Sequence, residues 1–108
     1  ASPPRLVTGG AGGPYIITTV FQLISIRLDY GLAVAASMSA PRIHHQHLPD
    51  VRCLEKGGFS EAQIDSLRRL GHHVEDCRGG SGAASIERRD GRWWGASDPR
   101  GAGLAAGQ

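Results

Sequence analysis

A run of glycines, Gly9-Gly10-Ala11-Gly12-Gly13, ends in Pro14 and leads into a stretch from Ile16 to Tyr30 that is apolar around most of a helical circumference. Polar Thr18, Gln22, Ser25 and Asp29 recur at helical spacing, and Ile17, Val20, Phe21, Leu23, Ile24 and Leu28 fill the rest. With one narrow polar stripe, such a helix must be packed on most sides as a core element. That is a large apolar burden for a chain of 108 residues, and it requires a partner to cover it. The glycines ahead of it, with proline at the first turn, leave backbone N–H groups bare and aimed outward. Such a loop binds an anion, or the oxyanion that develops in acyl transfer, unless it is only a tight strand-to-helix turn.

The rest of the chain alternates short elements with turns. Leu6-Val7-Thr8 reads as a strand entering the glycine loop, and Tyr30-Gly31 ends the first helix. A short helix from Leu32 to Ser39 stops before Pro41. Ile43 to His47 and Val51 to Glu55 are predicted strands around Leu48-Pro49-Asp50. Ser60 opens a helix with a Ser60/Gln63 capping box and a Phe59/Ile64 staple, turns Ile64, Leu67 and Leu70 inward, and ends at Gly71. His73 to Cys77 is a further strand, and residues 79–82 form a flexible loop. Ala84 to Arg89 and Arg92 to Ala96 form a hairpin across Asp90-Gly91, and the tail after Pro99 has little intrinsic structure.

Length allows one domain at most, and 40% apolar residues with a net charge of +2 argue against disorder or a membrane span. Twelve Lys and Arg are scattered among ten Asp and Glu, which disfavours a nucleic-acid partner. Ala1-Ser2-Pro3-Pro4-Arg5 has no apolar targeting core, so the chain starts as a processed or truncated product would. Cys53 and Cys77 belong to no C-x-x-C pair; they either form a disulfide in an oxidising compartment or remain buried thiols. His44, His45 and His47 cluster, and on a strand His45 and His47 would share a face. No cysteine or carboxylate completes a tetrahedral set, so no metal is expected. Arg88 to Arg92 is a solvated hairpin tip, and of Trp93 and Trp94 one indole faces the core and the other an interface. There is no G-x-S-x-G, Walker A or G-x-G-x-x-G motif.

The strings G-x-A-G-G (9–13), I-T-T-V-F-Q (17–22), L-D-Y-G (28–31), A-P-R-I-H-H-Q-H-L-P-D (40–50), E-K-G-G-F-S (55–60), L-G-H-H-V (70–74) and D-G-R-W-W-G-A-S-D-P-R (90–100) run in one order along the chain. In this the sequence resembles the C-terminal part of the small subunit of γ-glutamyltranspeptidases and their cephalosporin-acylase relatives, from about residue 5 to 108. The resemblance implies an α+β chain, part of an αββα N-terminal-nucleophile hydrolase sandwich and incomplete on its own. Residues 1–108 would be the C-terminal segment of the small subunit, with no cofactor. It also implies a threonine made N-terminal by self-cleavage, which attacks the γ-glutamyl amide with its own amine as base. The oxyanion donors then fall on Gly12 and Gly13.

The departures are specific. The family's P-G-G-S-R is Ala11-Gly12-Gly13-Pro14-Tyr15 here, its glutamine before Ser85-Ile86 is Ala84, and its terminal tyrosine is Gln108. Ala1 has no nucleophile, and Ser2 lacks a free α-amine. The threonine is therefore expected on an upstream or partner segment, so that this chain alone is inactive. Its partners are the large subunit and the N-terminal part of the small subunit, or a host complex. The alternative is a non-catalytic assembly subunit derived from such an enzyme. By the same resemblance the compartment is periplasmic or extracellular.

Overall fold

The computed structural model describes residues 2–77 and 82–107. Length suggests a single domain, but the backbone gathers into two compact units. The first takes in the described residues through Ser39 and from Gly82 onward, and the second those from Ala40 to Cys77. In the first unit, strand β1 (Leu6–Ala11) leads into helix α1 (Tyr15–Leu28) and helix α2 (Val34–Ser39). Its remaining strands are numbered after those of the second unit. There, β2 (Ile43–His44), β3 (Arg52–Glu55), helix α3 (Glu61–Arg69) and β4 (Val74–Cys77) follow in order. The chain returns to the first unit with β5 (Gly82–Arg89) and β6 (Arg92–Ser97).

The first unit is an antiparallel sheet in the order β1-β5-β6 with α1 and α2 on one face. β1 runs three residues further than expected. Gly9, Gly10 and Ala11 are not loop but ladder, paired with Ala84, Ala83 and Gly82, because β5 supplies hydrogen bonds for that backbone. The β5–β6 hairpin turns at Asp90 (φ 53°) and Gly91 (φ 73°), the left-handed pair of a type I′ turn. Side chains alternate across the sheet: Ser85 and Glu87 are buried toward the helices, while Ala84 and Ile86 on the other face are exposed.

Against that sheet, Leu23 of α1 and Val34 and Met38 of α2 form the apolar core, with Thr19 and Ser37 beside them. The expectation of a helix packed on most sides is corrected. Ile17, Phe21, Ile24 and Leu28 line up on α1 with exposures of 77, 69, 38 and 49%, because the described residues cover only the opposite face. The two indoles are corrected likewise. Trp93 and Trp94 are both part-exposed, Trp94 donating Nε1–H to the Arg89 carbonyl and lying under the Arg89 guanidinium.

Polar contacts tie the elements of this unit together. Glu87, 1% exposed, accepts from Arg27 Nε of α1 and, at 3.2 Å, from the Val34 N–H that begins α2; Arg89 lies 3.7 Å away. At the far end of the sheet, Asp98 accepts from the Ala83 N–H at 3.0 Å and from Arg100. Arg100 also donates to the Met38 carbonyl at 2.8 Å. The tail crosses β6 so closely that a side chain at Gly95 would meet Ala105 at 3.2 Å.

In the second unit the three-stranded sheet has the order β2-β3-β4, with β3–β4 parallel and α3 as the crossover. The first predicted strand is cut short at His44. His47 has φ 73°, so the chain turns away and His45 and His47 do not share a strand face; the Leu48–Pro49 bond that follows is cis. α3 has the capping box in full, and Gly71 and His72 donate to Arg68 and Leu67 in a Schellman ending. Of its predicted inward residues, Ile64 and Leu67 are half-buried, but Leu70 is 75% exposed, since it lies beyond the last helical turn. Leu54 and Val74 are the buried apolar residues here, and Cys53 and Cys77 are joined as a disulfide across β3 and β4. The expected loop at 79–82 lies outside the described residues except Gly82, which begins β5.

Two predictions follow from the packing. Burial pushes the Glu87 carboxyl up, but the Arg27 hydrogen bond, the Val34 amide and the charges of Arg27 and Arg89 hold it below the ordinary 4.5. Its contribution to stability is therefore complete above that pH and lost as pH falls through the lowered value. Glu87→Gln should cost about 3 kcal/mol at neutral pH by leaving Arg27 without its partner, and should flatten the acid limb of a urea-stability profile. Gly58 is fixed by Pro41, whose Cβ would lie 2.2 Å from an added side chain. Gly58→Ala should lower stability by about 1–3 kcal/mol in the same titration.

Candidate active site: the Gly12–Gly13 junction

The β1–α1 connection is three residues long, Gly12-Gly13-Pro14. Gly12 has φ 137° and Gly13 φ 61°, both closed or costly to residues with a Cβ, so the turn itself demands glycine. The fate of each amide in the junction can be followed. Tyr15 N–H donates to the Gly12 carbonyl at 3.3 Å and Ile16 N–H to the Gly13 carbonyl at 3.1 Å, while Pro14 has none. Within the junction, the N–H groups of Gly12 and Gly13 have no acceptor among the described residues.

Their setting favours negative charge. Both are exposed and stand at the N-terminus of the fourteen-residue α1, where the helix dipole is positive, and no acidic side chain occupies the first turn. Pro14 is the N-cap in helical conformation, one position earlier than a first-turn proline, and no side chain caps the helix. An external acceptor is the natural partner of the open donors. The hydroxyls of Thr8 and Ser85 pair with each other at 2.7 Å and hold β1 to β5 just upstream.

The other clusters are occupied structurally. His44 is buried with Nε2 at 2.9 Å from Gln46 Oε1, and His45 Nε2 lies 3.0 Å from Asp50 Oδ1. The Asp50 carboxyl is lowered by that hydrogen bond and then by Arg52. Among the described residues, no group of three or more His, Cys, Asp or Glu is placed to hold a metal, and no helix is long and apolar enough to cross a membrane. Arg89 is engaged by Trp94 and Glu87 rather than presented at the hairpin tip. Ala1 and Gln108, the terminal departures from the family pattern, lie outside the described residues. Ala84 sits on the exposed sheet face beside Gly9 and Ser97.

The family model of gamma-glutamyltranspeptidase matches residues 1–108. The chain belongs to the gamma-glutamyltranspeptidase family. It is 47% identical over 96 residues to the glutathione hydrolase proenzyme of Escherichia coli K12, a match that takes in 88% of this chain and 16% of that protein. Among solved structures, a Helicobacter pylori gamma-glutamyltranspeptidase mutant matches at TM-score 0.85 and 36% identity, over 90% of this chain and 54% of that one. The Pseudomonas nitroreducens gamma-glutamyltranspeptidase in complex with L-DON matches at TM-score 0.88 and 30% identity, over 96% and 55%. This gamma-glutamyltranspeptidase-family chain thus spans about a sixth of the length of such curated relatives, and its α+β fold is part of their N-terminal-nucleophile hydrolase architecture.

Sequence reasoning named the junction but missed the polar ties around it. Arg27 and Glu87 are sixty positions apart, and nothing in either segment signals the pairing. A charged Glu on the same strand face as the small Ala83 and Ser85 is the available hint. The junction's backbone predicts a graded response. Gly13→Ala has open space for its Cβ and should cost about 1–2 kcal/mol for its left-handed φ. Gly12→Ala, at φ 137°, should cost more and shift the turn, as read by thermal denaturation.

Proposed function

We propose that this chain is the C-terminal part of the catalytic small subunit of a gamma-glutamyltranspeptidase, and that Gly12 and Gly13 donate their N–H groups to the tetrahedral oxyanion. The observation that carries this reading is the pair of open amides at the start of α1, in a chain that the family model matches throughout. The nucleophile, a threonine with a free α-amine, comes from a segment outside these 108 residues. Its hydroxyl oxygen attacks the carbonyl carbon of a γ-glutamyl amide of the glutathione type, and the α-amine takes the hydroxyl proton and passes it to the leaving amine. The carbonyl electron pair moves onto oxygen, where the two amides receive it, and returns as the amine leaves. Water or an acceptor amine then cleaves the acyl-enzyme. Because the donors already point outward from a fixed turn, little reorganisation accompanies the charge.

The remaining segments of the enzyme are the proposed partners. The Ile17-Phe21-Ile24-Leu28 stripe and the groove beside it, lined by Leu6, Val7 and Val20, are apolar surfaces of the kind a missing layer covers. The other face of the sheet, with Val7, Ala84 and Ile86 exposed, suits a second sheet stacked on it. The 16% coverage of the Escherichia coli relative leaves ample chain to supply both. The Cys53–Cys77 bridge supports an oxidising compartment, periplasmic or extracellular. A second reading, a non-catalytic assembly subunit, is favoured by Pro14-Tyr15 standing where the family carries Ser-Arg.

One assay separates the readings. The purified 108-residue chain should not turn over a γ-glutamyl anilide, whereas its complex with a chain beginning in threonine should. In that complex, Gly12→Ala, which shifts the turn and so displaces the donors, should lower kcat on the order of a hundredfold with little change in KM. Gly13→Ala, which keeps its N–H and has room for its Cβ, should lower it less. Turnover by the 108 residues alone overturns the division of labour. An inactive complex with an intact N-terminal threonine favours the assembly subunit.

A further inference from the structure

The bridge between Cys53 and Cys77 closes a separation of 24 residues, and the α3–β4 part of what it encloses has little apolar burial of its own. α3 has no buried residue; Ile64 and Leu67 are only half-covered. β4 is the sheet edge, paired with β3 alone through the four positions from Arg52↔Val74 to Glu55↔Cys77. Its one buried apolar side chain is Val74, against a unit core in which Leu54 is the other. Folding units near about 40 residues usually need a disulfide, metal or partner to stay folded, and this one is of that size.

The two sulfurs are well placed to be both staple and switch. Cys53 lies on the central strand β3, and Cys77 is the last residue of the edge strand, so the bond ties the C-terminal end of β4 to the middle of the sheet. Their Cα atoms are 5.3 Å apart, inside the range that a disulfide spans without backbone movement. Neither cysteine is buried, so a small thiol can reach the bond. We propose that Cys53–Cys77 is a thiol-responsive clamp whose opening releases the α3–β4 segment while the sheet of the first unit stays folded.

The chemistry is thiol–disulfide exchange. A small thiolate attacks the Cys77 sulfur, forming a mixed disulfide and expelling Cys53 as thiolate. A second thiol attacks the mixed disulfide, and the small-molecule disulfide departs. Two electrons pass from the two thiols to the bridge, and both cysteines end reduced. The unbridged segment then loses the loop restraint on its unfolded state. On the chain-entropy scale this favours local opening on the order of a hundredfold. The inference does not depend on the gamma-glutamyl reading, since it needs only a small thiol.

Hydrogen exchange of the protein as isolated, with and without reduced glutathione, tests it, with alkylation and intact mass reporting the state of the bridge. The expected result is an unalkylated bridge before treatment and two alkylated thiols after it. Amides of 61–77 should then exchange on the order of tens to a hundredfold faster, and those of β1 and β5 should be unchanged. The Cys53→Ser/Cys77→Ser variant should show the fast pattern without thiol and no further response. Free thiols at the outset, a bridge that glutathione does not open, an opened bridge with unchanged exchange at 61–77, or acceleration spread equally over β1 and β5 would each overturn the proposal. Because the thiol titration is run on the unaltered chain, it decides the matter even if the serine variant does not fold.

Discussion

The first unit is organised around a charge that has no business in its interior except in company. Glu87 projects from the middle strand into the space under both helices, nearly free of water contact. An isolated carboxylate there would cost several kcal/mol and would protonate instead. It stays ionised because Arg27 reaches it from the last turn of α1 and the first amide of α2 points at it. One side chain therefore fixes the end of one helix and the beginning of the next relative to the sheet. Moving any of the three elements exposes a charge to a medium that does not solvate it, so the arrangement is stiff where an apolar contact would slide. The opposite end of the sheet is held in the same way, with Asp98 joining the start of β5 to Arg100 and, through it, to the carbonyl that closes α2.

That stiffness accounts for the junction between β1 and α1. The ladder from Leu6 to Ala11 fixes where the strand ends, and the Arg27–Glu87 contact fixes where the helix lies. Three residues must join them, and the path they take requires positive φ at Gly12 and Gly13. The open amides are thus a by-product of the scaffold's geometry, held at the cost of two glycines rather than by contacts of their own. A donor pair positioned in this way needs no side chain to aim it.

Much of this was legible in the sequence, and the pieces that were not share a cause. The capping box at Ser60, the Asp90-Gly91 hairpin and the glycine ending at Gly71 depend on neighbours a few positions away, and local patterns report them well. The Gly9–Ala11 strand was hidden because glycine has low strand propensity; only its pairing with residues 82–84 makes it a ladder. His45 and His47 read as a strand until the backbone turns at His47. The apolar circumference of α1 signals burial on most sides, but the pattern does not say which side this chain supplies. Leu23 faces the sheet and α2, whereas Ile17 and Phe21 face outward. Cys53 and Cys77 left two readings open because their closeness arises from a parallel pairing across a crossover, which spacing does not encode.

The contacts of this chain tie several of its sequence strings together. Ala40-Pro41-Arg42 and Glu55-Lys56-Gly57-Gly58 meet because Glu55 and Arg42 exchange backbone and side-chain hydrogen bonds while Gly58 makes room for Pro41. In Ser97-Asp98-Pro99-Arg100, Asp98 and Arg100 close the end of the sheet on α2. These constraints involve several groups at once. At the junction the open groups are two peptide N–H groups, and the only residue identity the backbone imposes is the glycine that permits the turn. The neighbours are freer. Proline at position 14 has no N–H to lose from the donor pair and a φ of −64° that suits the helix start. Pro14-Tyr15 can thus change the surroundings of the junction and leave the two open amides where the strand and helix put them.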